Sequence, residues 1–287
     1  MKIALTDIKN CLLYPFQNDH ELNKSIEEVG RIFNYFRENM HEYYSNEKLI
    51  SAYVAYYFTT NVPKFEKVIQ MTSIDLAGYD NIVDIGTGPG TFLVAAKDMN
   101  QNLKLFGIDH SELMLSQAIK IFKHFYANDD ITLSKKFIKP KEGKTLFLFS
   151  HSLNEMNEEI YTQYLKQIAG EDILLIEPGT MESFKKVLSF RDLAIENNYQ
   201  VHFPCHSEKG CQMNPENDWC HQYIYVTHAD DVEAMTQKLA RNRRLLPLCV
   251  QYYAKKEKVQ RNKSMLVRVL KPTKHSLEWM VCGEDNN

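Results

Sequence analysis

The chain has 287 residues, of which 44% are hydrophobic, and it carries a formal net charge of −3. This hydrophobic content is ample for a packed core. No apolar run reaches the length of a membrane span, and the N-terminus has no signal-peptide pattern. We therefore expect a protein that is not secreted and has no membrane partner. It would reside in a bacterial cytoplasm or an organellar matrix, where cysteines stay reduced.

The first of three predicted parts, residues 1–75, is a helical N-terminal region. Apolar residues recur at spacings of three and four from Leu22 to Phe36 and again from Leu49 to Tyr57. This spacing is typical of amphipathic helices. Pro63 is expected to interrupt the second run. The aromatic residues of both runs are predicted to pack in the core.

The second part, residues 76–198, alternates strands and helices. Four short apolar runs indicate strands, and helical patterns lie between or after them. The predicted strands are 82–85, 103–108, 146–149 and 173–176, and the predicted helices are 92–98, 113–125, 158–168 and 182–196. Alternating βα units predict an α/β fold with a doubly wound parallel sheet.

A glycine loop follows the first of these strands and opens the next helix. Its sequence is Asp84-Ile-Gly-Thr-Gly-Pro-Gly90, and Asp109 ends the second strand. Glycines let the backbone turn tightly and let a ligand approach closely, and an acid at the next strand end can bind ribose hydroxyls. The pattern looks like motif I of class I S-adenosylmethionine-dependent methyltransferases, and an NAD or nucleotide-sugar site is the alternative. The predicted cofactor contacts are Asp84, Gly86, Gly88, Gly90, Asp109 and Ser150.

The loop after the fourth strand is expected to carry the catalytic groups. Its sequence, Ser150-His-Ser-Leu-Asn-Glu155, lies at the carboxyl end of a strand, where α/β sites form. It is not the Asn/Asp-Pro-Pro-aromatic motif of enzymes that methylate exocyclic amines. Asn154 could hydrogen-bond a substrate and Glu155 could accept a proton. Alternatively, both residues belong to the cap and first turn of the next helix.

The third part, residues 199–287, is rich in cysteine and basic residues, and predicted strands at 199–203, 265–270 and 277–281 complete the sheet. Residues 238–274 contain twelve Lys or Arg and one acid, Glu257. This local charge of +11 leaves −14 on the remainder of the chain. Such a basic block is expected of a protein that binds a nucleic-acid backbone. The alternative is a solvated basic face.

Three of the six cysteines lie within residues 205–220, a polar segment with Gly, Pro and Asn that is predicted to be a loop. Cysteine is usually buried, so a group of cysteines on a polar loop indicates a metal or iron–sulfur site. The alternatives are a disulfide and unrelated core cysteines. Cys11 and Cys249 lie in apolar surroundings and are predicted to pack in the core.

Several motifs together resemble the methyltransferase-like family associated with mitochondrial small-ribosomal-subunit assembly, which includes methyltransferase-like protein seventeen and its bacterial relatives. The similarity runs from about Tyr53 to Cys282. The motifs are Val83-Asp-Ile-Gly-Thr-Gly-Pro-Gly-Thr91, Leu153-Asn-Glu155, Ile176-Glu-Pro-Gly-Thr180, Pro204-Cys205 and Trp219-Cys-His221. The resemblance implies a Rossmann-like class I methyltransferase fold that binds S-adenosylmethionine. It also implies a role on small-subunit ribosomal RNA or a pre-ribosomal particle, and we expect a monomer.

The resemblance further implies a [4Fe–4S] cluster bound by four cysteines: Cys205, Cys211, Cys220 and Cys282. Zinc is the alternative metal, bound by the three clustered cysteines with His206, His221 or Cys282, although zinc sites more often use closer cysteine spacings. Two functions stay open at this point. The protein is either a methyltransferase acting on ribosomal RNA or a non-catalytic assembly factor that keeps the fold and uses the cluster structurally.

Overall fold

A computed structural model describes residues 1–36, 40–126, 131–255, 264–269, 276 and 278–283. Within these residues the chain forms a central mixed sheet that is covered on both faces. The N-terminal helices are α1 (Leu5–Ile8), α2 (Asp19–Tyr35), α3 (Met40–Tyr44), α4 (Glu47–Tyr53) and α5 (Thr59–Thr72). Side chains of Asn18 and Asn46 cap α2 and α4 by accepting hydrogen bonds from backbone N–H groups of the first turn.

The helical region differs from the sequence prediction at Pro63. A π-helical turn, Val54–Phe58, joins α4 to α5, and α5 continues through Pro63 without a break. A proline ring crowds the carbonyl four residues earlier, which here belongs to Thr59. The π turn ends directly before Thr59, so the backbone hydrogen bonds do not follow the regular α-helical pattern there. Pro63 therefore removes no bond from an otherwise unbroken α-helix.

The sheet has the strand order β3-β2-β1-β4-β5-β8-β6, and β7 pairs with β8. The strands are β1 (Asn81–Ile85), β2 (Lys104–Ile108), β3 (Ile131–Ser134), β4 (Thr145–Ser150), β5 (Asp172–Pro178), β6 (Gln200–Phe203), β7 (Gln222–Tyr225) and β8 (Leu245–Ala254). Strands β1 to β5 are parallel, and β8 is antiparallel to each of its partners. The predicted Rossmann-like core is confirmed, and its order is that of a class I methyltransferase sheet.

The remaining helices connect the strands or flank them. They are α6 (Thr91–Met99), α7 (Glu112–Phe125), α8 (Glu158–Ile168), α9 (Met181–Glu196) and α10 (Asp230–Lys238). A separate antiparallel hairpin follows, formed by β9 (Ser264–Val269) and β10 (Trp279–Gly283). The prediction that these two strands complete the central sheet is therefore wrong, because within the described residues they pair with each other and with no strand of that sheet. Residues 270 and 277, at the ends of two predicted strands, lie outside the described residues. None of the described helices is long and apolar enough to cross a membrane.

The two faces of the sheet have separate apolar cores because successive strand residues point to opposite faces. Ile82 and Leu146 pack with the N-terminal helices, α6 and α7. Val83 and Phe147 pack instead with α8 and α9. Each large apolar side chain that is fully buried contributes about 1.5–3 kcal/mol. Both cores hold the carboxyl ends of β1, β2 and β4 at one edge of the sheet, where the predicted site residues lie.

Candidate functional site

The glycine loop has the backbone conformation that only glycine adopts without strain. Gly86, Gly88 and Gly90 have φ angles of 75°, 53° and 80°. A Cβ on Gly86 would collide with the side chain of Ser152, so close packing also requires glycine there. A Cβ on Gly88 would meet no atom within 4 Å. The loop is therefore packed at its start and open at its middle glycine, where a ligand can approach the backbone.

Asp109 lies at the end of β2 and contacts this loop directly. Its carboxylate accepts hydrogen bonds from the backbone N–H of Gly88 (2.8 Å) and from that of Ser111 (2.9 Å). Burial raises the pKa of Asp109, and these N–H donors oppose the increase. A carboxylate offers about four acceptor positions, so these bonds do not exhaust its capacity to accept from a ribose hydroxyl. The residues present fit an adenosine-type cofactor at this edge.

Asp84 and Ser150 were predicted to contact the cofactor, and in the structure they bind each other. The Ser150 hydroxyl donates to the Asp84 carboxylate over 2.6 Å, which links the ends of β4 and β1. Burial raises the pKa of Asp84 to about 7, and the bond from Ser150 opposes this change. The pair positions the glycine loop relative to the loop after β4.

Asn154 and Glu155, the predicted catalytic residues, form part of a 3₁₀ turn, Leu153–Glu155, between β4 and α8. The Lys186 ammonium donates to the backbone carbonyls of Asn154 and Met156. Glu177, at the end of β5, accepts from the backbone N–H of Leu153 over 2.7 Å. Burial raises the pKa of Glu177 to about 8. Through these contacts, side chains of β5 and α9 hold the turn in place.

Tyr44 of α3 covers this edge of the sheet and was not expected from the sequence. Its hydroxyl donates to the Glu155 carboxylate, and its backbone carbonyl accepts from the Ser111 hydroxyl over 2.9 Å. Its ring lies edge-on to His110, with the centroids 4.6 Å apart. Tyr44 thus connects the loops after β2 and β4. Asp109, which lies beneath it, is only 7% exposed.

The four cysteines predicted as cluster ligands lie close enough to affect one another electrostatically. Burial raises the pKa of Cys205, and the thiols of Cys211 and Cys282 raise it further. Burial also raises the pKa of Cys220, with additional contributions from the other three thiols and Cys249. Because such interactions weaken with distance, the fold brings Cys282 of β10 to the segment 205–220.

The structure has all six cysteines as free thiols. In the part of the chain that the structure describes, no three His, Cys, Asp or Glu side chains are arranged to hold a metal ion. Cys11 and Cys249 are buried in the apolar cores, and their thiols donate to the backbone carbonyls of Ile8 and Cys220.

Arg191 of α9 holds the cysteine-rich segment and was missed in the sequence. Its guanidinium donates to the carbonyls of Ser207 (2.9 Å) and Lys209 (2.7 Å). It also hydrogen-bonds to Cys205, which counteracts the increase in the pKa of that thiol. The Arg191 side chain is 3% exposed. A buried guanidinium thus takes part in ordering a loop that has few apolar residues of its own.

The basic segment 238–274 is only partly a solvent-facing surface. Arg241 donates to the Tyr57 hydroxyl over 2.7 Å, and Arg243 donates to the Asn61 side chain over 3.0 Å. The prediction that this block faces an RNA backbone is therefore wrong for these two arginines, since their side chains pack against the π turn and α5. Arg244 and Lys255 are exposed. Residues 256–263 and 270–275 lie outside the described part.

Comparison with known families gives one match that covers most of the chain. The family model described as mitochondrial small ribosomal subunit Rsm22 matches residues 51–287. A carboxy-S-adenosyl-L-methionine synthase of Nautilia profundicola is 44% identical over 131 residues, which cover 32% of this chain and 56% of the relative. The chain thus spans about half the length of this curated relative.

Solved structures of low identity are also similar over much of the chain. Mitomycin 7-O-methyltransferase MmcR is 14% identical with a TM-score of 0.42, covering 66% of this chain and 63% of that one. The methyltransferase domain of bacterial-CtHen1-C is 12% identical, with a TM-score of 0.43 and coverages of 68% and 98%. Magnesium protoporphyrin IX methyltransferase of Synechocystis PCC 6803 is 10% identical, with a TM-score of 0.42 and coverages of 80% and 96%.

Proposed function

The chain belongs to the Rsm22 family of the mitochondrial small ribosomal subunit, and from this premise we propose that it binds S-adenosylmethionine and acts on small-subunit ribosomal RNA or a ribosome precursor. The observation that carries the proposal is the contact between Asp109 and the backbone N–H of Gly88. It joins the candidate ribose-binding acid to the open glycine of the loop. The likeness to a carboxy-S-adenosyl-L-methionine synthase supports a ligand of this chemical class.

The chain's own residues would bind and orient the cofactor. The glycine loop would accept the ligand against its backbone, with the N-terminus of α6 favouring electronegative groups. Asp109 would bind the ribose hydroxyls through its remaining acceptor positions. The bound cofactor supplies an electrophilic methyl group on sulfur. Catalysis would then consist mainly of holding a nucleophile in line with that methyl group.

Glu155 is the candidate proton acceptor for the methyl-transfer reaction, and its carboxylate already accepts a hydrogen bond within the protein. The Tyr44 hydroxyl donates to the Glu155 carboxylate. An acceptor nucleophile would have to take the place of this hydroxyl before Glu155 could receive its proton. Because α3 carries Tyr44, movement of α3 would couple acceptor entry to exposure of the carboxylate.

A second candidate function, a non-catalytic assembly factor, is favoured by the contacts of the predicted catalytic turn. Asn154 is held through its backbone by Lys186, and its side-chain oxygen is buried without a hydrogen-bond partner among the residues that the structure describes. Glu155 is bound by Tyr44. With Glu155 bound by Tyr44 and the backbone of Asn154 held by Lys186, the turn would serve a structural role, and the cofactor would act as a ligand that stabilises the fold.

We also propose that Cys205, Cys211, Cys220 and Cys282 bind one [4Fe–4S] cluster, with Zn²⁺ as the alternative. The mutual effect of these thiols on their pKa values supports their proximity. An all-cysteine donor set suits this cluster, in which each thiolate binds a different iron. The cluster would fasten the loop and the hairpin to the sheet.

Two measurements test the proposed function. Calorimetry with S-adenosylmethionine decides whether the cofactor binds, and absence of binding would overturn the proposal. The second measurement is transfer of labelled methyl groups to immature small ribosomal subunits. Label in the RNA would establish a methyltransferase. Tight cofactor binding without label, together with binding to the subunits, would establish the assembly factor instead.

A further inference from the structure

A group of basic side chains, one of them buried and two half-buried, lies beside the candidate cofactor site. Lys64 of α5 is only 4% exposed, and its ammonium nitrogen is 3.2 Å from Nε2 of His151. His151 directly follows β4 and has a φ angle of 60°, a left-handed conformation that non-glycine residues rarely adopt. The charge of Arg243 affects the pKa of both Lys64 and His151, so the three side chains are neighbours.

Arg243 is held in this position by neutral groups. Its Nη2 donates to the Thr60 hydroxyl (3.3 Å) and to the Asn61 side chain (3.0 Å). Its guanidinium carbon is 5.6 Å from the centre of the Tyr57 ring. The Nε atom is buried without a hydrogen-bond partner in the described part of the chain. One donor of this half-buried guanidinium, held in place by its other contacts, is thus left available to a ligand.

No carboxylate of the described residues compensates this charge. Neither Lys64 nor Arg243 forms an ion pair there, and neither does the nearby Arg241. Burial lowers the pKa of Lys64 well below its usual range, and Arg243 lowers it further. Arg243 cannot relieve the repulsion by losing a proton. A buried cation without a counterion costs several kcal/mol, which an anion bound beside it would offset.

The position of the group relates it to the glycine loop. The sheet order is β2-β1-β4 at this edge. Asp109 ends β2, the glycine loop follows β1, and His151 follows β4. The His151 ring is 5.8 Å from that of Phe92, in the first turn of α6 just after the loop. A ligand that binds Asp109 with its ribose and crosses the loop would therefore bring its other end to His151 and Lys64.

We propose that Lys64, His151 and Arg243 form an oxyanion-binding subsite, and that it takes the carboxylate at the amino-acid end of the nucleoside cofactor. This assignment rests on the proposed function. The Lys64 ammonium and Arg243 Nε supply charge-assisted hydrogen bonds, which are the stronger class of such bonds. The same chemistry suits an anionic group of a second ligand, a source that the experiment below distinguishes.

The first experiment compares two ligands that share the adenosine and differ at the amino-acid end. Calorimetry measures the affinity of the full chain for S-adenosylhomocysteine and for 5′-methylthioadenosine, which has no carboxylate. Lys64→Met and Arg243→Met are expected to weaken the affinity for S-adenosylhomocysteine by about 10- to 100-fold. The affinity for 5′-methylthioadenosine is expected to change by less than about twofold. Lys97→Met is the matched control, because Lys97 is also a buried lysine but donates to backbone carbonyls within its own region.

The second experiment uses inorganic phosphate and thermal unfolding. Lys64→Met is expected to raise the melting temperature without ligand. It removes the cost either of keeping a buried ammonium that has no counterion among the described residues or of deprotonating it on folding. Phosphate is expected to stabilise the wild-type protein and to lose this effect in both variants. A residue with only a structural role would lower the melting temperature when replaced and would leave the selectivity between the two nucleosides unchanged.

The outcomes separate the subsite from the proposed function. Selective loss of S-adenosylhomocysteine binding supports the assignment. Unchanged selectivity in both variants would show that the cofactor carboxylate does not bind at the subsite. If phosphate stabilisation nevertheless requires Lys64, the subsite binds an anionic group of another ligand. If phosphate also has no effect, the subsite itself is refuted. If the wild-type protein binds neither nucleoside, the proposed function fails, and the phosphate experiment alone decides the subsite.

Discussion

Asp109 is the residue on which the proposed cofactor binding would depend most directly. Its carboxylate fixes the Gly88 backbone and keeps acceptor positions for a ribose. Replacement of Asp109 by Ala is expected to weaken S-adenosylmethionine binding by about 1.5–3 kcal/mol, the range for hydrogen bonds to a charged group. Calorimetry at one fixed pH and salt concentration measures the difference.

Asp98→Ala provides the control for this prediction. Asp98 lies in the last turn of α6, at the end of the helix away from the loop, where its carboxylate faces the N-terminal ammonium at 3.3 Å and is 39% exposed. Its loss is expected to leave the affinity unchanged within about twofold. Equal affinity of the Asp109→Ala variant and the wild-type protein would remove Asp109 from the site.

Glu177 is expected to make the stability of the fold dependent on pH. Burial raises its pKa from the ordinary value of 4.5 to about 8. Between these values the folded protein keeps a proton that the unfolded chain releases, so the free energy of unfolding falls as the pH rises. One such group contributes a slope of up to ~1.4 kcal/mol per pH unit. Denaturant unfolding at a series of pH values from 5 to 8, spanning roughly this window, measures the slope.

Glu177→Gln tests this source of the slope. The amide keeps an oxygen acceptor for the backbone N–H of Leu153 and has no proton to release in this range. The slope is expected to become shallower without disappearing, because burial also raises the pKa of Asp84 to about 7. Identical slopes for the two proteins would show that Glu177 is ionised in the folded state or does not titrate in this window.

For single residues, the sequence predicted the site residues that lie in local motifs. It missed the site residues that come from distant parts of the chain. Asp109 was predictable because its distance from the glycine loop follows from one strand–helix–strand unit. Tyr44 and Lys64 were not, because helical spacing marks which face is apolar and does not indicate which strand end a helix will cover. His151 lies within the singled-out loop, but its burial depends on α5.

The strands show the same division at the scale of elements. Continuous apolar runs predicted β1, β2, β4 and β5 correctly, since strands buried on both faces have this pattern. The antiparallel β8 was missed because Pro247 lies within it, and proline argues against a central strand. The structure accommodates Pro247 in the part of β8 that pairs with β7, and its carbonyl accepts from the backbone N–H of Gly179.

The segment 205–220 and the hairpin β9–β10 are expected to depend on the proposed cluster for their order. The segment has few apolar residues, so metal–thiolate bonds would supply much of its ordering free energy. Protein purified without oxygen should be brown and contain about four iron and four sulfide per chain. Each single replacement by Ser among Cys205, Cys211, Cys220 and Cys282 should bleach the colour and lower the melting temperature.

Cys11→Ser and Cys249→Ser are the matched controls, since both thiols are buried and donate to backbone carbonyls. Neither change should bleach the protein. Stoichiometric zinc without iron would refute the cluster and keep a metal site. Bleaching by Cys249→Ser but not by Cys282→Ser would identify Cys249 as the fourth ligand, which the contribution of Cys249 to the pKa of Cys220 makes geometrically reasonable.

The distribution of charge over the whole molecule is the basis for the proposed RNA partner. Residues 238–274 carry +11 and the remainder −14. Sequence alone could not divide this block into interior and surface residues. Arg243 contacts Thr60 and Asn61 in α5, and Arg244 pairs with Glu233 of α10. The lysines at 255, 256 and 258 are therefore better candidates for phosphate contacts than the arginines that precede β8.

Charge reversal of these three lysines tests the RNA interface. If they contact phosphates, Lys→Glu changes at 255, 256 and 258 should weaken binding to a structured small-subunit RNA fragment. They should also flatten the dependence of log K on log salt by about 0.7–0.9 per lost contact, since fewer counterions are released. Filter binding at several salt concentrations measures the affinity and its salt dependence.

Reversal of Lys123, Lys136 and Lys166, which are exposed elsewhere, provides the control. It changes the net charge equally and should lower the affinity for RNA without changing the slope of log K against log salt as much. Equal effects of the two triple variants would mean that net charge alone governs RNA binding, and that the basic segment is not its interface.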